Sequence, residues 1–123
     1  MNKLTSLFKA LSDRNRLRIV AALLKNEELC ACQIIELMQV TGATVSRHMG
    51  LLINAGLVVS RKEGRWVHYR LRRDVTSWLP LMEWLEAQIA DDLELAADLS
   101  KLAEITACDP EDIRRKQRAV DGG

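Results

Sequence analysis

Apolar residues recur at helical spacing along most of the chain. Leu4, Leu7, Phe8 and Leu11 stand at i, i+3, i+4 and i+7, which predicts a short amphipathic helix over residues 3–11. Ser12 and Asp13 are capping types set just before Leu17, Val20, Ala21, Leu23 and Leu24. They predict a second helix over residues 13–25, with Arg14, Arg16 and Arg18 on its polar side. A third helix, over 31–38, turns Ile34, Leu37 and Met38 inward. Thr41 is a good N-cap for a fourth over 43–54, which is expected to bury Val45, Met49, Leu52 and Ile53 on one side.

After residue 56 the period changes to two. Leu57-Val58-Val59-Ser60-Arg61-Lys62 and Arg65-Trp66-Val67-His68-Tyr69-Arg70-Leu71 are β-prone runs separated by Glu63-Gly64, a hairpin signal in which Glu replaces the preferred Asn or Asp. Alternation puts Val67, Tyr69 and Leu71 on one face and Trp66, His68 and Arg70 on the other. Helical spacing returns over residues 78–105, where Pro80 suits the first turn. Met82, Leu85, Ile89, Leu93 and Ala96 make one stripe there, beside a second of Leu81, Trp84, Leu95, Leu99 and Leu102. That surface is wider than one small domain buries, so part of it is expected to meet a second subunit together with the N-terminal helix. Asp109-Pro110-Glu111-Asp112 starts a last short helix, and the chain from Arg114 onward is expected to fray. The predicted class is therefore mainly α with a β-hairpin wing. It comprises a winged helix-turn-helix domain with its dimerisation helices over residues 1–107, and a short C-terminal helix and tail over 108–123.

The fourth helix has the face that reading DNA requires. Opposite its apolar side lie Ala43, Thr44, Arg47, Gly50 and Asn54, with Ser46 and His48 on the flanks. Small and hydrogen-bonding residues can approach base edges, and a guanidinium can fork onto guanine or phosphate. The spacing from the third helix matches a helix-turn-helix, with Gln39 where such turns often hold glycine. A basic hairpin directly afterwards acts as a wing, its Arg61, Lys62 and Arg65 within reach of phosphates or a minor groove.

Composition leaves this picture standing and narrows it. The chain has 123 residues, of which 48% are hydrophobic and 28% charged, with a net charge of +1, which describes one ordinary globular domain. No apolar run reaches a spanning length and Met1-Asn2-Lys3-Leu4 opens no signal peptide, so a cytoplasmic location and no membrane partner are expected. The small net charge conceals an asymmetry. Over residues 40–74, Arg47, Arg61, Lys62, Arg65, Arg70, Arg72 and Arg73 face only Glu63 and Asp74, whereas over 77–113 Lys101 stands alone among acids. A basic middle is the electrostatic footprint of a phosphate-binding surface.

Three cysteines without a secretion signal point to ligands or reactive thiols before a disulfide framework. Cys30 and Cys32 sit at the start of the third helix, where thiols ionise more readily and can hold soft ions. On a regular helix, residues i and i+2 point about 200° apart. Either Cys30 lies outside the helix, or ligation unwinds its first turn. No base, oxyanion donor or Cys-x-x-Cys pair accompanies them, which argues against a thiol enzyme.

Three stretches resemble the arsenic-responsive ArsR repressor family. These are Glu28-Leu29-Cys30-Ala31-Cys32, which is similar to its ELCVC box, Thr44-Val45-Ser46-Arg47-His48-Met49 at its recognition helix, and residues 61–71 at its wing. Leu11-Ser12-Asp13 before Arg16-Leu17-Arg18-Ile19-Val20 extends the resemblance over roughly residues 4–105. It implies a homodimeric repressor that binds double-stranded operator DNA, has no permanently bound cofactor, and releases the operator when As(III) or Sb(III) engages the cysteines. The family's third box cysteine is replaced by Ile35, so a three-sulfur site must recruit Cys108, from either subunit, or an exogenous ligand. The zinc site of related sensors is not expected, since His48 and His68 are the only histidines. The same scaffold responding to cadmium, lead, an organoarsenical or thiol oxidation is the alternative.

Overall fold

The computed structural model describes residues 1–74 and 78–121. Among the described residues, seven helices and three strands follow the order α1 (Asn2–Leu11), α2 (Arg14–Lys25), β1 (Leu29–Cys30), α3 (Ala31–Met38), α4 (Gly42–Asn54), β2 (Val58–Glu63), β3 (Trp66–Leu71), α5 (Leu79–Ala90), α6 (Leu93–Thr106) and α7 (Pro110–Asp121). Among the described residues no helix is long and apolar enough to cross a membrane.

Local chemistry sets the helix starts. The Asp13 carboxylate accepts the Arg16 amide at 3.0 Å and Thr41 Oγ1 accepts the Thr44 amide at 3.1 Å, so both act as N-caps where expected. Between α3 and α4, Gln39 adopts φ 56°, the left-handed conformation that explains why glycine is common at this turn. The core forms where α2, α3 and α4 meet the sheet: Leu23, Met49, Leu52 and Leu57 are fully buried, joined by Ile19, Ile34, Leu37 and Leu71.

Four expectations change. Leu29–Cys30 is a third strand, pairing antiparallel with β3 (Leu29 opposite Tyr69, Cys30 opposite His68), and the sheet order is β1-β3-β2. A two-residue strand is too short for an alternation to announce itself. The wing turn falls one residue later, because Glu63 pairs with Trp66 and leaves Gly64-Arg65 as the loop. Glycine with φ 62° at the first loop position is what a type II′ turn demands.

The long helix over 78–105 is in fact two. Asp92 leaves the helical conformation (φ −95°, ψ 120°) and its carboxylate accepts the Leu95 amide at 3.0 Å, starting α6 afresh. Adjacent aspartates favour a cap over a helix interior. The break strands Leu93 at 88% exposure, while Met82, Leu85, Ile89, Leu102 and Ile105 remain buried. Finally, α7 runs on to Asp121 where fraying from Arg114 was expected. Buried Ile113 anchors it against the core, and the Arg114 guanidinium lies 5.2 Å from the centre of the Trp66 ring.

Two arginines of α2 hold α6 in place. Arg18 makes a two-pronged pair with Asp98 at 2.7 and 3.0 Å, and Arg14 pairs with Glu94.

Candidate nucleic-acid interface and thiol pair

The exposed face of α4 carries Ala43, Ser46, Arg47 and Asn54, with Thr44 and Gly50 half-buried beside them. Beyond the helix's own backbone and the adjoining residues, a Cβ at Gly50 would meet nothing within 4 Å, so the helix surface there is open. Thr44 Oγ1 is 2.9 Å from Thr41 Oγ1, which links its hydroxyl to the helix cap. Two residues depart from the predicted pattern. Ile53 is 37% exposed, and His48 turns inward to 5% exposure. His48 Nδ1 sits 3.2 Å from Arg16 Nη1; a guanidinium only donates, so Nδ1 must carry its lone pair. His48 therefore belongs to the seam between α2 and α4 and leaves the DNA-facing set. The helical period alone could not separate flank from seam at this position.

On the wing, Lys62 is exposed and makes no ion pair among the described residues, whereas both arginines are held. Arg61 forks onto Glu28 at 2.6 and 2.9 Å and reaches Glu63 at 2.8 Å. These contacts raise its pKa and hold the Glu28 carboxyl below the usual carboxylate range. Arg65 meets Glu111 of α7 at 3.3 Å. Two of the acids that pair with the wing arginines lie close in sequence to cysteines, Glu28 two residues before Cys30 and Glu111 three after Cys108.

At the thiols, Cys30 lies outside the helix. It is the N-cap of α3 (φ −79°, ψ 159°), and its backbone N–H donates to Gln33 Oε1 at 2.9 Å while its sulfur faces the Gln33 amide. This is a capping box with cysteine in place of serine, and Gln33, which sequence reasoning overlooked, was legible as the glutamine three residues on. Leaving the helix removes the 200° divergence, so the two sulfurs come together. The Cys32 thiol beside it, then the Gln33 and Cys32 amides, bring Cys30 down to about 7 against the opposing effect of burial. The same neighbour and burial push Cys32 up, so the pair holds one readily lost proton and one tightly kept. Cys32 donates to the Pro110 carbonyl at 3.8 Å, and Gln117 Nε2 donates to the Cys32 carbonyl at 2.9 Å.

Cys108 stays apart. It is exposed at the end of α6, with its thiol on the Glu104 carbonyl at 3.5 Å. Among the described residues no three His, Cys, Asp or Glu side chains gather around one ion position. Among the described residues of one chain, Cys108 is therefore not gathered with Cys30 and Cys32.

Comparison with known proteins agrees with this architecture. The profile of the bacterial regulatory protein, arsR family, matches residues 13–60. The arsenical resistance operon repressor of Escherichia coli K12 is 43% identical over 72 residues, which cover 58% of this chain and 62% of that protein. An arsenic resistance transcriptional regulator of Pseudomonas putida is 33% identical over 99 residues, covering 80% of this chain and 76% of that one. Among solved structures, the homodimeric winged helix-turn-helix DNA-binding domain of a possible ArsR-family regulator from Mycobacterium bovis superposes with a TM-score of 0.60 at 26% identity, covering 71% of this chain and 81% of that one.

Proposed function

The chain belongs to the arsR family of bacterial regulatory proteins, a family of transcriptional regulators and not of enzymes, and from that premise we propose that it is a homodimeric repressor released from operator DNA by trivalent arsenic or antimony. The observation that carries this reading is the convergence of the Cys30 and Cys32 sulfurs at the start of α3, the first helix of the helix-turn-helix. A thiophilic ion taking both sulfurs displaces the Cys30 sulfur from its capping role and the Cys32 proton from the Pro110 carbonyl. The cap that starts α3 and the contact that docks α7 are thus both exchanged for sulfur–ion bonds.

On the DNA side, Ala43, Thr44, Ser46 and Arg47 face the major groove, while Lys62 and the acid-restrained Arg61 and Arg65 approach phosphates. Occupancy of the thiols need shift operator affinity by only about 1–3 kcal/mol, a 5- to 150-fold change, to act as a switch. The test is operator binding with and without arsenite in the wild type, Cys30→Ser and Cys32→Ser. Release by arsenite is expected from the wild type alone. Equal release from all three proteins would overturn the reading.

A further inference from the structure

An open groove of about 570 Å³ runs between α7, the wing, the start of α4 and the first turns of α3, where Ala31, Cys32 and Ile35 form part of its wall, and three arginines also line it: Arg65 from the wing, Arg114 and Arg118 from α7. We infer that this groove seats backbone phosphates of duplex DNA, so that α7 extends the contact surface beyond α4 and the wing. The inference rests on the DNA-binding reading proposed for α4 and the wing.

Charge is the first argument. Arg114 and Arg118 stand at i and i+4, hence on one face of α7, and neither pairs with a carboxylate among the described residues. Arg114 is held against Trp66, and its Nη1 is buried without an acceptor, so among the described residues this cation is uncompensated. Arg118 is exposed. Glu111, on the same face, is already paired with Arg65.

Continuity is the second. Gly42, the first residue of α4, also lines the groove, and the opening turn of a helix leaves its first amides without intrahelical acceptors. The groove thus joins the beginning of α4 to the wing loop, the two parts of the fold proposed to flank DNA. A phosphate chain following that surface passes Arg65 and Arg118 in turn. Docking of α7 is firm enough to present them: Ile113 is buried, Gln117 donates to the Cys32 carbonyl, and Lys116 lies 3.8 Å from Glu36.

The experiment measures binding of the full chain to a labelled duplex of about 30 base pairs and arbitrary sequence, since phosphate contacts do not depend on sequence, between 50 and 200 mM salt. Each phosphate contact adds about 0.9 to the steepness of log affinity against log salt, so losing one makes a variant's deficit roughly three- to fourfold larger at the low-salt end. Arg118→Gln should show that loss, Arg118→Lys should restore most of it, and Glu111→Gln, by freeing Arg65, should bind more tightly and more steeply than the wild type. A slope for Arg118→Gln equal to that of the wild type overturns the inference while leaving the DNA-binding reading intact. Titration of the free protein with inorganic phosphate is a second test: saturable binding abolished by Arg118→Gln would assign the groove to a small anion and overturn the DNA assignment. A wild type that binds no duplex removes both readings together.

Discussion

His48 shows how one side chain moves from a reading surface into the scaffold. Burial, the largest influence, lowers its pKa; the Asp13 carboxylate opposes this, and the nearby Arg16 and Arg47 cations each add a smaller lowering. The folded chain therefore keeps His48 neutral, and Arg16 donating to Nδ1 requires that state. In the unfolded chain the ring protonates below about pH 6.5, so the unfolded state binds more protons there and stability is lost as pH falls below that value. The slope from this group is at most about 1.4 kcal/mol per pH unit. Urea unfolding of the wild type between pH 7.5 and 5.5, set against His48→Gln, should give a steeper loss on acidification in the wild type; parallel curves would show that His48 does not titrate on unfolding.

Elements are tied by a few charged contacts whose worth follows from their burial. In the Arg18–Asp98 pair the side chains are 19% and 13% exposed, and the hydrogen bonds to Asp98 raise the Arg18 pKa. Asp98→Asn should cost about 1–3 kcal/mol in urea unfolding, between the values for surface and buried pairs, because it leaves a half-buried guanidinium uncompensated. Glu94→Gln, beside the exposed Arg14, should leave the midpoint where it is. These pairs also mark what was legible in the sequence. Asp13 and Thr41 announced α2 and α4 because a cap is a local signal, and Gln39 stood as a departure from the turn pattern, since the left-handed backbone it adopts ordinarily favours glycine. The acids of α6 read only as part of an acid-rich stretch, since their partners lie 80 residues away on α2. Likewise β1 and the docking of α7 depend on partners supplied by β3 and α3, which no window along the chain contains. The convergence of the thiols followed from β1: the alternative of Cys30 outside the helix was visible in the 200° argument, but the strand that places it there was not.

At the scale of the whole molecule, the unfinished surface is the apolar one. Leu4 and Phe8 of α1 are 54% and 57% exposed, and Trp84 of α5 is 59% exposed, although each stands on a helix whose other side is buried in the core. Large apolar groups left in water on both α1 and α5 fit a second subunit, whose interface must cover roughly 800 Å² on each partner. A dimer also carries the DNA argument. In the proposed complex one α4 meets a single half-site, and two held about one helical turn apart would convert the second contact into an intramolecular one, multiplying affinity by about 10²–10⁴. Placing a charge at that surface, as in Phe8→Glu with Trp84→Glu, should therefore do two things together: shift sedimentation from dimer to monomer, and weaken operator binding by at least about a hundredfold while the helical content stays unchanged. A variant that sediments as a monomer yet binds the operator like the wild type would separate dimerisation from DNA reading, and one that remains dimeric would place the subunit contact on some other face.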